Sequence, residues 1–185
     1  MRVITGSARG RRLMTPENND IRPTTDNVKE ALFNIIQFDI EGRRVLDLFA
    51  GTGQLGIECL SRGAAECVFI DENSTAVKIV KANLKACGLN GTVLQTDALS
   101  FLRSARKFDL ILIDPPYASP VYDEVLKIIN SVDILSDSGI IICEASRERE
   151  LPEMTEPYEK VREYRYGKVK LCKYVKLPQS AGDFA

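Results

Sequence analysis

The sequence predicts an α/β three-layer sandwich: a mostly parallel sheet covered by helices on both faces, with an antiparallel C-terminal hairpin and a short N-terminal one. Three observations predict it. Apolar runs alternate with helix-patterned stretches in a βαβ rhythm, as parallel strands joined by crossover helices require. The runs are near-continuously apolar, which fits a sheet buried on both sides. After residue 158 the rhythm changes to two β-type runs meeting at Tyr166-Gly167-Lys168, a turn that fits an antiparallel hairpin closing one sheet edge.

In chain order, Val3 to Leu13 reads as a glycine-punctuated hairpin. A helix is expected over about 26–38, with Val28, Leu32, Ile35 and Ile36 on one face. Pro23 cannot sit inside it, and Thr25 or Asp26 can cap its start. Strands are expected at 44–49, 66–71, 92–96, 108–113 and 139–144, then at 160–166 and 169–177. The clearest helix is 74–87, where Val77, Val80, Leu84 and Cys87 recur at helical spacing and Gly88 ends the run. Pro178 to Ala185 is expected to fray.

A length of 185 residues suits one compact domain with a full core, so residues 1–185 are expected to form a single domain. No run of about 18 apolar residues occurs, and the N-terminus lacks the apolar region of a secretory signal. The expected location is the cytoplasm. There the scattered cysteines 59, 67, 87, 143 and 172 would be reduced core thiols. The chain contains no histidine. That excludes Ser-His-Asp and Cys-His catalysis and any histidine-based zinc site, and no metal is expected.

The net charge of −1 hides an uneven distribution. Arg2, Arg9, Arg11 and Arg12 fall in the first twelve residues without an acid, and residues 158–176 hold seven Lys/Arg against Glu159 and Glu163. Two basic ends are what a phosphate-facing surface needs, so Arg9, Arg11 and Arg12 are candidate substrate contacts.

Residues 45–56, VLDLFAGTGQLG, run from a strand through a glycine turn into a helix. Glycine lets the backbone turn tightly beside a ligand, and the helix start points unpaired N–H groups at it. Asp71 ends the next strand, where a carboxylate can accept both hydroxyls of a ribose. Gly51, Gly53 and Gly56 also match the dinucleotide fingerprint, so the loop alone leaves NAD and S-adenosylmethionine open. Asp47 favours the methyl donor, because a carboxylate there suits an ammonium group and repels a pyrophosphate. Asp97 can accept an adenine amino group with Ala98 supplying a backbone N–H, or it can simply cap a helix. The expected cofactor contacts are Asp47, Phe49, Gly51, Gly53, Asp71, Asp97 and Ala98.

Asp114-Pro115-Pro116-Tyr117 follows the strand FDLILI, at the sheet end where open α/β folds bind ligands. The exocyclic amine of a base is a poor nucleophile because its lone pair is delocalised into the ring. The Asp114 carboxylate and Pro115 carbonyl can accept its two N–H groups and aim the lone pair at a methyl donor. The prolines hold those acceptors still, and Tyr117 can stack on the base. Asp114, Pro115 and Tyr117 are therefore the candidate catalytic residues.

DLFAGTG together with DPPY resembles the class I amino-methyltransferases that act on nucleic-acid bases. More narrowly, residues 22–34 (RPTTDNVKEALFN), residues 47–64 (DLFAGTGQLGIECLSRGA) and RGRRL at 9–13 resemble the RsmD-type 16S ribosomal RNA guanine-N2 methyltransferases. Taken with the closing hairpin, the resemblance covers nearly the whole chain. It implies a seven-stranded, Rossmann-like class I fold and methylation of guanine 966 at N2. The substrate would be ribosomal RNA or an assembling small subunit, and the enzyme a monomer. The resemblance also implies that Arg22 and Thr24 line the target pocket. Thr5 departs from the glycine expected early in the family's hairpin.

Two other readings follow from the motifs. A DNA adenine-N6 methyltransferase can share DPPY, but no stretch is left for an inserted region that reads base edges. A nicotinamide oxidoreductase would use the glycine loop and leave DPPY unexplained.

Overall fold

The structure is a computed structural model that describes residues 1–15, 26–116 and 120–178. Seven strands form one sheet: β1 (Arg44–Asp47), β2 (Glu66–Asp71), β3 (Thr92–Gln95), β4 (Phe108–Ile113), β5 (Leu135–Ser146), β6 (Tyr158–Tyr166) and β7 (Val169–Lys176). The helices are α1 (Asp26–Ile35), α2 (Gln54–Ser61), α3 (Ser74–Cys87), α4 (Ala98–Leu102) and α5 (Tyr122–Val132). The sheet order is β3-β2-β1-β4-β5-β7-β6. The first five strands are parallel, and β7 runs antiparallel between β5 and β6.

Alternation along the strands divides the core. Val45, Leu110, Leu112, Ile140, Ile142 and Leu171 face α1, α2 and α3. Leu46, Ile111, Ile113, Ile141, Cys143 and Tyr174 face α4 and α5. Successive side chains point to opposite faces, so a strand apolar at every position needs helices on both sides. Each buried Leu or Ile contributes roughly 1.5–3 kcal/mol of transfer free energy.

Several boundaries differ from the sequence reading by one to four residues, and three of them have a local cause. Helix α1 stops at Ile35, and the chain turns over with Asp39 N–H donating to Ile36 O, leaving Phe38 almost wholly exposed. Strand β1 stops at Asp47, since Leu48 and Ala50 already belong to the glycine turn, although their N–H groups still bond Leu112 O and Ile70 O. Strand β5 starts at Leu135 rather than 139 because its register slips: Phe108 pairs with Leu135, and Leu110 pairs with Ile140. Ser138 takes a left-handed conformation at the slip, and Asp137-Ser138-Gly139 reads locally as a turn.

The N-terminal hairpin forms with one bridge, Arg2 to Arg12, and is held by α2 beneath it. Glu58, fully buried, accepts from Ile4 N–H at 2.7 Å and Thr5 N–H at 2.9 Å and is paired with Arg62. Gly6 lies so close that a side chain there would meet Ser61 O at 1.8 Å. All five thiols are free. Among the described residues no helix is long and apolar enough to cross a membrane. The expected fraying of 178–185 falls almost wholly outside the described residues.

Candidate active site

The register of the three central strands assembles the site. Asp47 pairs with Phe69 of β2 and Leu112 of β4. Asp71 and Asp114 each lie two residues further along those neighbours, roughly 6–7 Å beyond Asp47. Three carboxylates from three strands thus converge at the carboxyl end of the sheet.

Each carboxylate is differently engaged. Asp47 is 2% exposed, and one of its oxygens accepts from Gly56 N–H at 2.9 Å. Burial is the main cause that pushes its carboxyl up to about 7; the Gly56 bond opposes this, and the charges of Asp114 and Asp71 add to it. Asp71 accepts from Asn73 N–H and Gly51 N–H, both at 2.8 Å. Its carboxyl is also raised by burial, against those two bonds. One lone pair on each oxygen remains for a ligand hydroxyl. Asp114 is half-buried, Pro115 is buried and Pro116 exposed. Tyr117 lies outside the described residues, as do Arg22 and Thr24.

The glycine loop is built for close approach. Gly51 and Gly53 have φ of 54° and 76°, the left-handed region that favours glycine. Gly53, the N-cap of α2, has no side chain to cap the helix. Gly56 N–H in the first turn is taken by Asp47, and the N–H groups of Gln54 and Leu55 at the helix start are left for a ligand at that end. Gly56 lets α2 lie against β2: a Cβ there would meet the Phe69 ring at 2.3 Å. Phe49 is half-buried beside the α4–α5 core. Asp97 is exposed and accepts from Ser100 N–H at 2.8 Å, and the two hydrogen bonds to Ser100 lower its pKa. It caps α4, so the simpler of its two sequence readings is satisfied. Ala98 is the buried first residue of that helix.

These residues fit a nucleoside that carries a cationic amino-acid tail. The protein groups there are acidic, the first N–H groups of α2 lie at the same end, and a buried acceptor, Gln54 Oε1 at the start of α2, has no hydrogen-bond partner among the described residues.

Sequence reasoning missed three polar residues around this loop: Gln54, Glu58 and Asn83. Asn83, fully buried on α3, donates to Thr52 O at 2.9 Å and Met14 O at 3.2 Å, and accepts from Met14 N–H at 2.7 Å. It ties the glycine loop to the N-terminal segment. The available signal was an amide on the apolar stripe of an otherwise regular helix.

The two basic ends separate in character. Arg9, Arg11 and Arg12 are exposed. In the C-terminal run, Lys160, Lys170, Lys173 and Lys176 are paired with Glu153, Glu163, Asp39 and Asp133, respectively. Arg165 lies 3.8 Å from Glu163. Most cations of the C-terminal run thus brace the hairpin, which narrows the reading of two phosphate-facing basic ends at this end of the chain. Arg162 instead lies over the Tyr164 ring at 5.1 Å.

Residues 1–175 match the family model described as conserved hypothetical protein 95. The chain is 42% identical over 182 residues to YlbH of Bacillus subtilis (strain 168), covering 95% of this chain and 99% of that one. It is 34% identical over 187 residues to ribosomal RNA small subunit methyltransferase D of Escherichia coli (strain K12), covering 99% and 93%. The solved structure of the Escherichia coli protein yhhF is 31% identical with a TM-score of 0.88, covering 97% of this chain and 99% of that one. The chain belongs to this family, that of ribosomal RNA small subunit methyltransferase D.

Proposed function

We propose that this chain transfers a methyl group from S-adenosylmethionine to the exocyclic N2 of a guanine, guanine 966, in small-subunit ribosomal RNA. The observation that carries the reading is the convergence of Asp47, Asp71 and Asp114 at one sheet end around the glycine loop, in a chain of this family. When bound, S-adenosylmethionine supplies an electrophilic methyl group on a sulfonium.

The chain's residues would divide the remaining work. Asp71 accepts the ribose hydroxyls, and the turn from Phe49 through Gly51 to Gly53 brings the backbone against the ligand. Asp47 faces its ammonium, with Asp97 and Ala98 at the adenine end. Asp114 and the Pro115 carbonyl accept the two N–H groups of the guanine amine and point its lone pair at the methyl. Tyr117 stacks on the base. Positioning of this kind can supply up to roughly 7–11 kcal/mol of barrier reduction. Arg9, Arg11 and Arg12 hold phosphates, and Arg22 and Thr24 line the pocket. The enzyme would act as a monomer on ribosomal RNA or the assembling subunit.

The test is methylation of small subunits, and of their RNA, from cells lacking the modification, with the product nucleotide mapped by mass spectrometry. N2-methylguanine at one site is expected. Asp114→Asn is expected to lower turnover at least 100-fold, on the order of a lost transition-state hydrogen-bonding group, while S-adenosylhomocysteine still binds. Methylated adenine in duplex DNA, with RNA untouched, would replace this reading by the adenine-N6 one.

A further inference from the structure

Helix α1 and the edge strand β6 enclose an open groove of about 610 Å³, within the roughly 300–1,000 Å³ span of ligand sites. Asn27, Glu30 and Asn34 of α1 line one wall, with Ile35 beneath them, and Tyr164 and Tyr166 line the other. The three polar residues are exposed, and both tyrosines are half-buried against the α1-side core.

We infer that this groove holds an unpaired base of the RNA substrate, stacked on Tyr164 and Tyr166, close to the nucleotide that is methylated. The inference rests on the RNA reading above.

Three features point to that occupant. The tyrosines are two residues apart on one strand and face the same side, so their side chains leave the sheet roughly 6.6–7 Å apart. That is twice the roughly 3.4 Å rise of stacked bases, the room one base needs between two rings. Arg162 lies over the Tyr164 ring at 5.1 Å. It stands two residues before Tyr164 on the strand and Tyr166 two residues after, so alternation along β6 puts the two on opposite flanks of that ring and leaves the flank toward Tyr166 for stacking. The amides of Asn27 and Asn34, with the Glu30 carboxylate between them, offer both donors and acceptors to a base edge.

The surrounding charge agrees. Arg162, and Lys168 at the tip of the β6–β7 turn, are exposed and carry no ion pair among the described residues, whereas the other five cations of the hairpin lie near acids. Glu30 is the acid among the described lining residues and would repel a phosphate, which favours the base over the backbone against α1. Position agrees as well. Strand β7 is antiparallel to β5, with Leu171 opposite Glu144 and Val169 opposite Ser146, so the β6–β7 turn lies at the carboxyl end of the parallel strands. Tyr164, opposite Leu171, is level with Asp114, and Tyr166 lies two residues, roughly 6–7 Å, beyond it. Single-stranded RNA bound through aromatic stacking has this chemistry: stacking tolerates any base, and the amides add selectivity.

The test compares the pairs Tyr164→Leu/Tyr166→Leu and Tyr164→Phe/Tyr166→Phe. Leucine keeps the apolar contact with the core but removes the stacking plane; phenylalanine keeps both. The leucine pair should raise KM for small-subunit RNA roughly tenfold or more, with kcat at saturating RNA and the Kd of S-adenosylhomocysteine unchanged. The phenylalanine pair should match the wild type. Leucine-pair kinetics equal to wild type overturn the proposal.

A second measurement does not depend on the variants folding. Ultraviolet cross-linking of the wild-type chain to the RNA should label peptides containing residues 26–35 or 162–168. Cross-links found only elsewhere overturn it. A wild-type chain that binds and cross-links RNA through the groove without methylating it leaves the groove standing and defeats the functional reading instead.

Discussion

Asp47 ends the central strand with 2% of its surface exposed, and its carboxyl titrates at about 7 because burial disfavours the charge more than the Gly56 bond favours it. The folded value lies above the ordinary 3.8. The group's contribution to stability is therefore complete below that value and is lost as the pH rises through about 7. A cationic ligand reverses the preference, because only the ionised carboxylate attracts an ammonium. S-adenosylhomocysteine should then bind roughly tenfold more weakly at pH 6 than at pH 8, one pH unit below the titration point costing about a factor of ten. Asp47→Asn should flatten this profile in calorimetric titrations. Equal wild-type affinities at the two pH values would remove Asp47 from ligand binding. Its acidity was visible in the sequence beside the glycines. Its burial was not, since that depends on Phe69 and Leu112 flanking it from strands distant in the chain.

Helix α2 is short, eight residues, and is stabilised by what covers it. Its Gly56 lies against β2, and its Glu58 and Ser61 carry the N-terminal hairpin. Glu58→Ala would remove the buried partner of two part-buried backbone N–H groups and of the largely buried Arg62 guanidinium. Removal of one partner from a buried charge pair costs about 3–5 kcal/mol. The expected result is a loss of that order in denaturant titrations, with amide protection lost first over residues 3–11, whereas Glu58→Gln retains part of both. Uniform loss of protection along the chain would mean that Glu58 supports the whole core and not the hairpin. The α2 glycines were legible because turn and packing demands recur in a strand-turn-helix. Glu58 was not, because a lone carboxylate in a helix looks solvated until its partners 53 and 54 residues away are known.

Across the whole molecule, the hairpin docked on α2 and the strand β6 edge lie on the α1 side of the sheet, with α1 between them. Val3, Ala8 and Leu13 of the hairpin and Tyr164 and Tyr166 of β6 pack on the same core. The two basic ends, remote in sequence, therefore flank one surface. Neutralising Arg9, Arg11 and Arg12 together to Gln should weaken binding to small-subunit RNA and reduce the slope of log affinity against log salt by up to about 2, the value for three phosphate contacts on a single strand. An unchanged slope in filter-binding assays would make these arginines ordinary surface.

The sequence by itself determined the fold class, the order of the elements and the two motifs, because each rests on local periodicity or on residues within one turn of the chain. DLFAGTG and DPPY needed only a strand end before them to be interpretable. Tertiary structure decided the rest. The insertion of β7 between β5 and β6, the slip at Ser138, the meeting of Asp47, Asp71 and Asp114, and the division of the basic hairpin into paired lysines and an aromatic groove all depend on strand register. Register is set by which apolar faces bury against one another, and no local stretch of chain records it.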